Sequence, residues 1–240
     1  MPSPFLTAEW RKLLMAQYEV QPKLLAPYLP RGLELDLFEG RCFVSLVAFL
    51  FDRVRVKGFA VPLHTSFEEI NLRFYVRRTE PSGSAKRGVV FVREFVPRRA
   101  IAWVAKSAYE EPYLAIPTRH SYTCTPQALT AEYGWKYGNR WYTFCASAAS
   151  KSQPIAPGSE EEFITEHYWG YTKRSDGSTS AYQVEHPRWQ TYRLQRYEIA
   201  VDLGMLYGPE FAFLNGQPAA SVLLAEGSAV KVYSGVRPPV

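Results

Sequence analysis

No stretch of this sequence reaches the ~18 consecutive apolar residues that a membrane span requires. Its start, Met1-Pro2-Ser3-Pro4, lacks the basic-then-apolar order of a secretory signal. A cytoplasmic location with no membrane partner is therefore the expectation. Cysteine is scarce: Cys42, Cys124 and Cys145 are far apart and show no CxxC or Cys/His ligand spacing. That pattern excludes a disulfide scaffold or a zinc knuckle and reads as three buried, reduced thiols. Phosphate loops, the GxSxG elbow, HExxH and the kinase signatures are missing too, so the common enzyme classes have no support and no cofactor is expected. Dense basic tracts are absent as well. The 28 Lys and Arg exceed the 23 Asp and Glu, but Arg53-Val54-Arg55-Val56-Lys57 and the stretch 73–78 alternate with apolar residues as half-exposed strands do. No nucleic-acid partner is expected, and the mild positive bias suits a small anionic ligand at least as well.

What is present is apolar and aromatic. Hydrophobic residues make up 47% of the chain and aromatics 15%, enough for a sizeable core, and no linker or repeat divides it, so residues 1–240 read as one domain. Period-two alternation and β-branched or aromatic runs predict strands over 14–20, 33–37, 41–51, 68–78, 88–95, 120–125, 140–146, 166–174, 178–186, 190–200 and 221–233. Short helices are predicted over 23–28, behind Pro22, and over 97–109, opened by Pro97. A third follows Ser159, where Ser159-Glu160-Glu161-Glu162 forms a capping box, so those glutamates read as structural. The class is mainly β (α+β), a closed or double-layered sheet with a few short flanking helices.

Three constellations could carry chemistry. The first is the stretch 64–76. As a strand it places Ile70, Leu72, Phe74 and Val76 on one face and Phe67, Glu69, Asn71, Arg73 and Tyr75 on the other. Acid, amide, guanidinium and phenol in a row can satisfy one another or a ligand. The second is a hairpin around Asp176-Gly177. A two-residue type I′ turn there pairs Tyr171 with Tyr182 and His167 with His186, beside Glu166 and Glu185, but no third metal ligand is evident and no metal is expected. The third is Arg93-Glu94-Phe95-Val96-Pro97-Arg98-Arg99. Arginines in a first helical turn oppose the macrodipole, so a carboxylate or phosphate partner is expected, either nearby Glu110 or Glu111 or a ligand.

The same segments carry a resemblance. Trp10-Arg11-Lys12-Leu13-Leu14-Met15-Ala16, the stretches 62–76 and 88–99, Phe163-Ile164-Thr165-Glu166-His167-Tyr168-Trp169-Gly170-Tyr171, Val184-Glu185-His186-Pro187-Arg188-Trp189 and Ala225-Glu226-Gly227-Ser228 resemble the YqjF-like family of bacterial proteins. The resemblance implies the acetoacetate decarboxylase-like fold: a barrel-like core of two curved sheets around a central cavity, with short flanking helices. It also implies possible homo-oligomers, since the decarboxylases are oligomeric. In those enzymes a lysine following a Glu…Pro-Lys-Lys stretch forms a Schiff base, its ammonium pKa lowered by the second lysine. Here Glu94…Pro97-Arg98-Arg99 is similar but holds arginine in both places, and arginine cannot make the imine. Lys106 could substitute only if its ammonium were buried.

The leading expectation is a small-molecule pocket for an anionic or carbonyl-bearing metabolite. Its ligand-binding candidates are Glu69, Asn71, Arg73, Tyr75, Arg98 and Tyr171, and its catalytic candidates are Glu69 and Glu94 as acid or base and His167 and His186 as proton shuttles. The competing reading is a non-catalytic or self-associating module whose polar stripe is an internal hydrogen-bond network.

Overall fold

Alternation becomes fourteen strands among the described residues, which are 3–60, 62, 64–98 and 112–235 of this computed structural model. Seven of them close into a ring. β1 (Leu6–Glu19) pairs with β3 (Phe43–Val56), followed by β5 (Phe67–Thr79), β6 (Ala85–Val96), β11 (Trp169–Lys173), β12 (Thr179–Glu185) and β14 (Ser221–Val232), which pairs back to β1. Every pairing in this ring is antiparallel except β6 with β11. From β14 the sheet continues through β13 (Gln190–Ala200), β10 (Arg140–Pro154), β9 (Ala128–Tyr137) and β8 (Thr118–Cys124). Short strands β2 (Glu34–Leu35), β4 (Phe59–Ala60) and β7 (Tyr113–Ala115) attach to β5, β3 and β6. The fold is thus the mostly β, barrel-like arrangement that alternation and the resemblance both imply.

Two cores result, because the ring strands are buried on both faces. Outside the ring, Leu14, Leu46, Leu72 and Phe74 pack against Tyr133, Trp135 and Phe144 of the second layer. Inside it, Met15, Val47, Phe49, Tyr75, Phe163 and Leu223 form a separate cluster. Each fully buried large apolar side chain contributes about 1.5–3 kcal/mol, so the two layers fix which face of each strand looks inward. The seam between β1 and β14 depends on Gly227. Its φ is +80°, and a Cβ there would lie 1.9 Å from the Trp10 carbonyl oxygen.

Short helices fill the corners. Pro22 opens α1 (Pro22–Leu25), continued by a 3₁₀ turn over Ala26–Tyr28. α2 (Glu160–Thr165) starts as its capping box predicts: the Ser159 hydroxyl accepts from the Glu162 amide at 3.2 Å. Its glutamates are tied into the scaffold, Glu160 to Arg41 at 3.0 Å, Glu161 to the Thr191 hydroxyl at 3.2 Å and Glu162 to Arg188. α3 (Leu203–Tyr207), capped by Asp202, and the 3₁₀ turn over Pro209–Leu214 are not expected from the pattern.

Several expectations are corrected. β9 is missed entirely because Ala, Gly and Glu interrupt its alternation. The hairpin at Asp176-Gly177 slips by one residue: Lys173 pairs with Thr179, Tyr171 with Ala181 and Trp169 with Gln183. The loop is three residues long. Only Gly177 has positive φ, +79°, and the Arg174 amide donates to the Ser178 carbonyl at 2.9 Å. His167 and His186 are therefore not cross-strand partners. Cys42 is buried, but Cys124 is exposed and Cys145 half-buried, and all three are free. Most of the helix expected over 97–109 lies outside the described residues. No helix of the described residues is long and apolar enough to cross a membrane.

Candidate functional site

The polar stripe of β5 faces the inside of the ring. Exposure falls to 3% at Glu69, 1% at Asn71 and 9% at Arg73, with Tyr75 also buried. Neighbouring strands build rows across it. Met15, Val47, Asn71 and Glu94 are successive cross-strand neighbours, as are Gln17, Ser45 and Arg73. β7 sets Tyr113 beside Glu94.

Around Glu69 the geometry is dense. Asn71 Nδ2 donates to its Oε1 at 3.0 Å and Tyr113 hydroxyl donates to its Oε2 at 3.0 Å, while the buried Glu94 is the cross-strand neighbour of Asn71. Burial pushes Glu69 above the ordinary carboxylate range against the pull of Asn71, Tyr113, Glu94 and the Arg73 charge. Glu69 can thus hold a proton to higher pH than a solvated carboxylate does.

Arg73 is held differently. Its Nη2 lies 3.5 Å from the Ile164 carbonyl oxygen and 3.8 Å from Met15 Sδ, and its guanidinium sits 5.7 Å from the Tyr75 ring centroid. Among the described residues no carboxylate lies within ion-pair distance of it, and its Nε has no partner. Tyr75 is anchored by its hydroxyl to Ser45 Oγ at 2.8 Å. Next to the Tyr75 ring, at 4.8 Å, stands His167, whose Nε2 is 3.2 Å from Asp36 Oδ2. Arg87 Nε donates to the same oxygen at 2.6 Å. Burial pushes His167 down to about 4, so the ring is neutral near pH 7. Burial alone would raise Asp36, but the His167 and Arg87 hydrogen bonds hold it below its usual value. His186 stacks on Trp189 at 4.2 Å and lies 4.7 Å from Tyr168, and burial lowers it as well.

Among the described residues several interior atoms have no partner: both amide atoms of Gln17, Asn71 Oδ1, Arg73 Nε, His167 Nδ1 and Trp10 Nε1. Buried polar groups are normally satisfied, and each left unmade costs about 1–3 kcal/mol.

Residues 7–229 match the model of the DUF2071 family, described as an uncharacterized conserved protein. The chain belongs to this family. A relative from Bacillus subtilis (strain 168), the uncharacterized protein YqjF, is 29% identical over 105 residues, which is 43% of this chain and 41% of the relative. Among solved structures, the acetoacetate decarboxylase of Legionella pneumophila aligns with a TM-score of 0.66 at 15% identity, covering 99% of this chain and 88% of that one. The enduracididine biosynthesis enzyme MppR complexed with pyruvate aligns at 0.65 and 14%, covering 99% and 91%. An acetoacetate decarboxylase-like enzyme from Sphingomonas wittichii RW1 aligns at 0.63 and 10%, covering 99% and 94%. At these identities the likeness establishes the fold.

On that fold the remaining candidates of this DUF2071 chain separate. Tyr171 is turned away from the ring interior: it packs in the outer core, with its hydroxyl 3.4 Å from the Lys86 carbonyl oxygen. Arg98 is half-buried just beyond β6, and among the described residues its guanidinium makes no hydrogen bond or ion pair. Arg93 donates to the Leu206 carbonyl, while Arg99, Lys106, Glu110 and Glu111 lie outside the described residues. Gln17, Ser45, Asp36, Arg87 and Tyr113 join the interior network although no local pattern marks them. A separate trio, Glu68 with His120 and Thr118, sits on the opposite face of β5. The alternation of Glu68 with Glu69 is the only signal that could have separated them.

Proposed function

We propose that this chain is a small-molecule pocket protein that takes an anionic or carbonyl-bearing metabolite inside the strand ring. Arg73 binds the ligand's carboxylate, Asn71 orients it, and the Glu69–Glu94 pair faces its carbonyl end as proton donor or acceptor. One observation carries the reading: a buried guanidinium, without a carboxylate partner among the described residues, shares one strand face with the buried Glu69, and Glu94 is buried on the neighbouring strand. Such a cation is costly to bury unless an anion joins it. Neighbours on the fold support the ligand class, since one is an acetoacetate decarboxylase and another was obtained with pyruvate. A proton held on the raised Glu69 carboxyl serves general acid–base chemistry, which suits a lyase or hydrolase step. Imine chemistry at Arg98 and Arg99 is disfavoured, because a guanidinium keeps its proton.

The competing reading, an internal network in a non-catalytic or self-associating module, draws support from the Asn71–Glu69 and Tyr75–Ser45 bonds. It leaves Arg73 Nε and Asn71 Oδ1 unexplained. A cytoplasmic, homo-oligomeric protein belongs to the same proposal, and size-exclusion chromatography tests the second part. The deciding measurement is thermal shift with pyruvate, acetoacetate and a panel of small acids and ketones. Specific binding raises the melting temperature, whereas a flat response to all of them rules the pocket out. Borohydride reduction with the same oxo acids should leave the protein mass unchanged. A lysine adduct would show that imine chemistry survives.

A further inference from the structure

Three of the unpartnered interior nitrogens belong to side chains that share one small recess. Arg73, His167 and Trp10 all line it, together with Thr165, His186 and Trp189. Arg73 Nε, His167 Nδ1 and Trp10 Nε1 each lack a protein partner, while Trp189 Nε1 is spent on Ser228 Oγ at 2.9 Å and His186 Nδ1 is 2.9 Å from the Pro187 carbonyl oxygen. The recess has a volume of about 30 Å³. One water needs ~10–15 Å³ on this measure, and drug-sized ligands occupy hundreds. A group of two or three heavy atoms fits. Among the described residues that line it none is an acid, and Asp36, which meets His167 at Nε2 and not at Nδ1, is paired with Arg87.

We infer that this recess is a monoanion seat of carboxylate size, in which the Arg73 guanidinium, the Trp10 indole N–H and a protonated His167 hold the anion together, so that anion and proton enter as a pair. The inference rests on the reading of Arg73 as the anchor of the ligand and specifies where the carboxylate end goes. His167 supplies the coupling. With the recess free of charge its Nε2 proton serves Asp36, leaving Nδ1 as a lone pair that an anion repels. Protonating Nδ1 creates the third donor. The groups facing His167 decide the balance: Asp36 favours the cation, Arg87 and Arg73 oppose it, and Tyr75, Phe163 and His186 are neutral. An anion on Arg73 cancels one of the two opposing charges and offsets part of the burial that is the main reason His167 is neutral near pH 7. By linkage, the anion that promotes the proton is itself bound more tightly when the proton is abundant.

The test uses formate and chloride as probes, followed by tryptophan fluorescence and by calorimetry in two buffers of different ionisation enthalpy. Affinity should rise as pH falls from 8 to 5, approaching about tenfold per pH unit, with proton uptake approaching one per anion. H167Q should retain binding and lose the pH dependence and the proton uptake. W10F should weaken binding severalfold without changing the uptake, and R73M should abolish it, each variant being checked for a cooperative melt. Absence of formate and chloride binding, or proton uptake that persists in H167Q, overturns the inference. The two proposals fail separately. Oxo acids that bind with no proton uptake and no effect of H167Q leave the functional reading intact and remove the seat, whereas formate binding with proton uptake but no response to oxo acids does the reverse.

Discussion

Replacing Arg73 by methionine separates a ligand anchor from a structural tie. Arg73 is 9% exposed, and its guanidinium contacts are a 3.5 Å approach to a carbonyl and a 3.8 Å approach to a thioether. Desolvating a cation costs several kcal/mol, and these partners return little of it. Coulomb attraction to Glu69 offsets only part of the remainder. Methionine keeps the stem that packs on Met15 and Tyr75 and removes the charge and the orphaned Nε–H. Only the Ile164 carbonyl loses a partner, at about 1 kcal/mol. On balance R73M should stabilise the unliganded protein by about 1–3 kcal/mol, as hydrophobic replacement of buried charges does elsewhere. At roughly 2–4 °C per kcal/mol for a domain of this size, the melting temperature rises by roughly 2–12 °C. The same variant should lose every ligand-induced shift. Urea denaturation and scanning fluorimetry, with and without oxo acids, read both effects. If R73M instead loses about 2 kcal/mol or more, the guanidinium is paid for inside the native protein and the argument for a ligand at Arg73 collapses.

Other substitutions probe the surroundings. Glu69 titrates above its ordinary 4.5, so its contribution to stability is complete below that pH and is lost as pH rises through the raised folded value. Urea midpoints of the wild type should therefore fall relative to those of E69Q between pH 5 and 8, and parallel curves would show that Glu69 is not perturbed. His167 works in the opposite direction: buried and neutral, it contributes above 6.5 and loses that contribution as pH falls towards about 4, so H167Q should flatten the acid limb of the stability curve. D36A strips the partner from Arg87 and His167 and should cost about 2–4 kcal/mol in chemical denaturation, whereas a neutral result would mean that this triad is solvated. G227A forces a Cβ onto the Trp10 carbonyl at positive φ and should cost at least about 2 kcal/mol or break the β1–β14 seam, detectable as loss of amide-exchange protection along β1.

Local information reached far in this chain. Alternation at 67–76 assigned Glu69, Asn71, Arg73 and Tyr75 to a common face, because side chains of an extended strand point to opposite sides in turn whatever surrounds them. Ser159 with its three glutamates marked a helix start, and Asp176-Gly177 marked a turn, since both signals are written in adjacent residues. The hairpin register was not legible. Whether the turn takes two residues or three depends on Asp176 avoiding positive φ, and a slip of one residue turns each side chain to the other face.

Alternation alone determined that the acid, the amide and the guanidinium travel together, but it says the same of a wet strand and of a dry one. Only closure of the ring decided that this face is sheltered, by bringing β1, β3, β6 and β7 around it and supplying Gln17, Ser45, Glu94 and Tyr113 from distant parts of the chain. Such neighbours are set by strand order and by burial of apolar surface on both sides of the sheet, which are properties of the whole assembled chain that no short stretch of residues encodes.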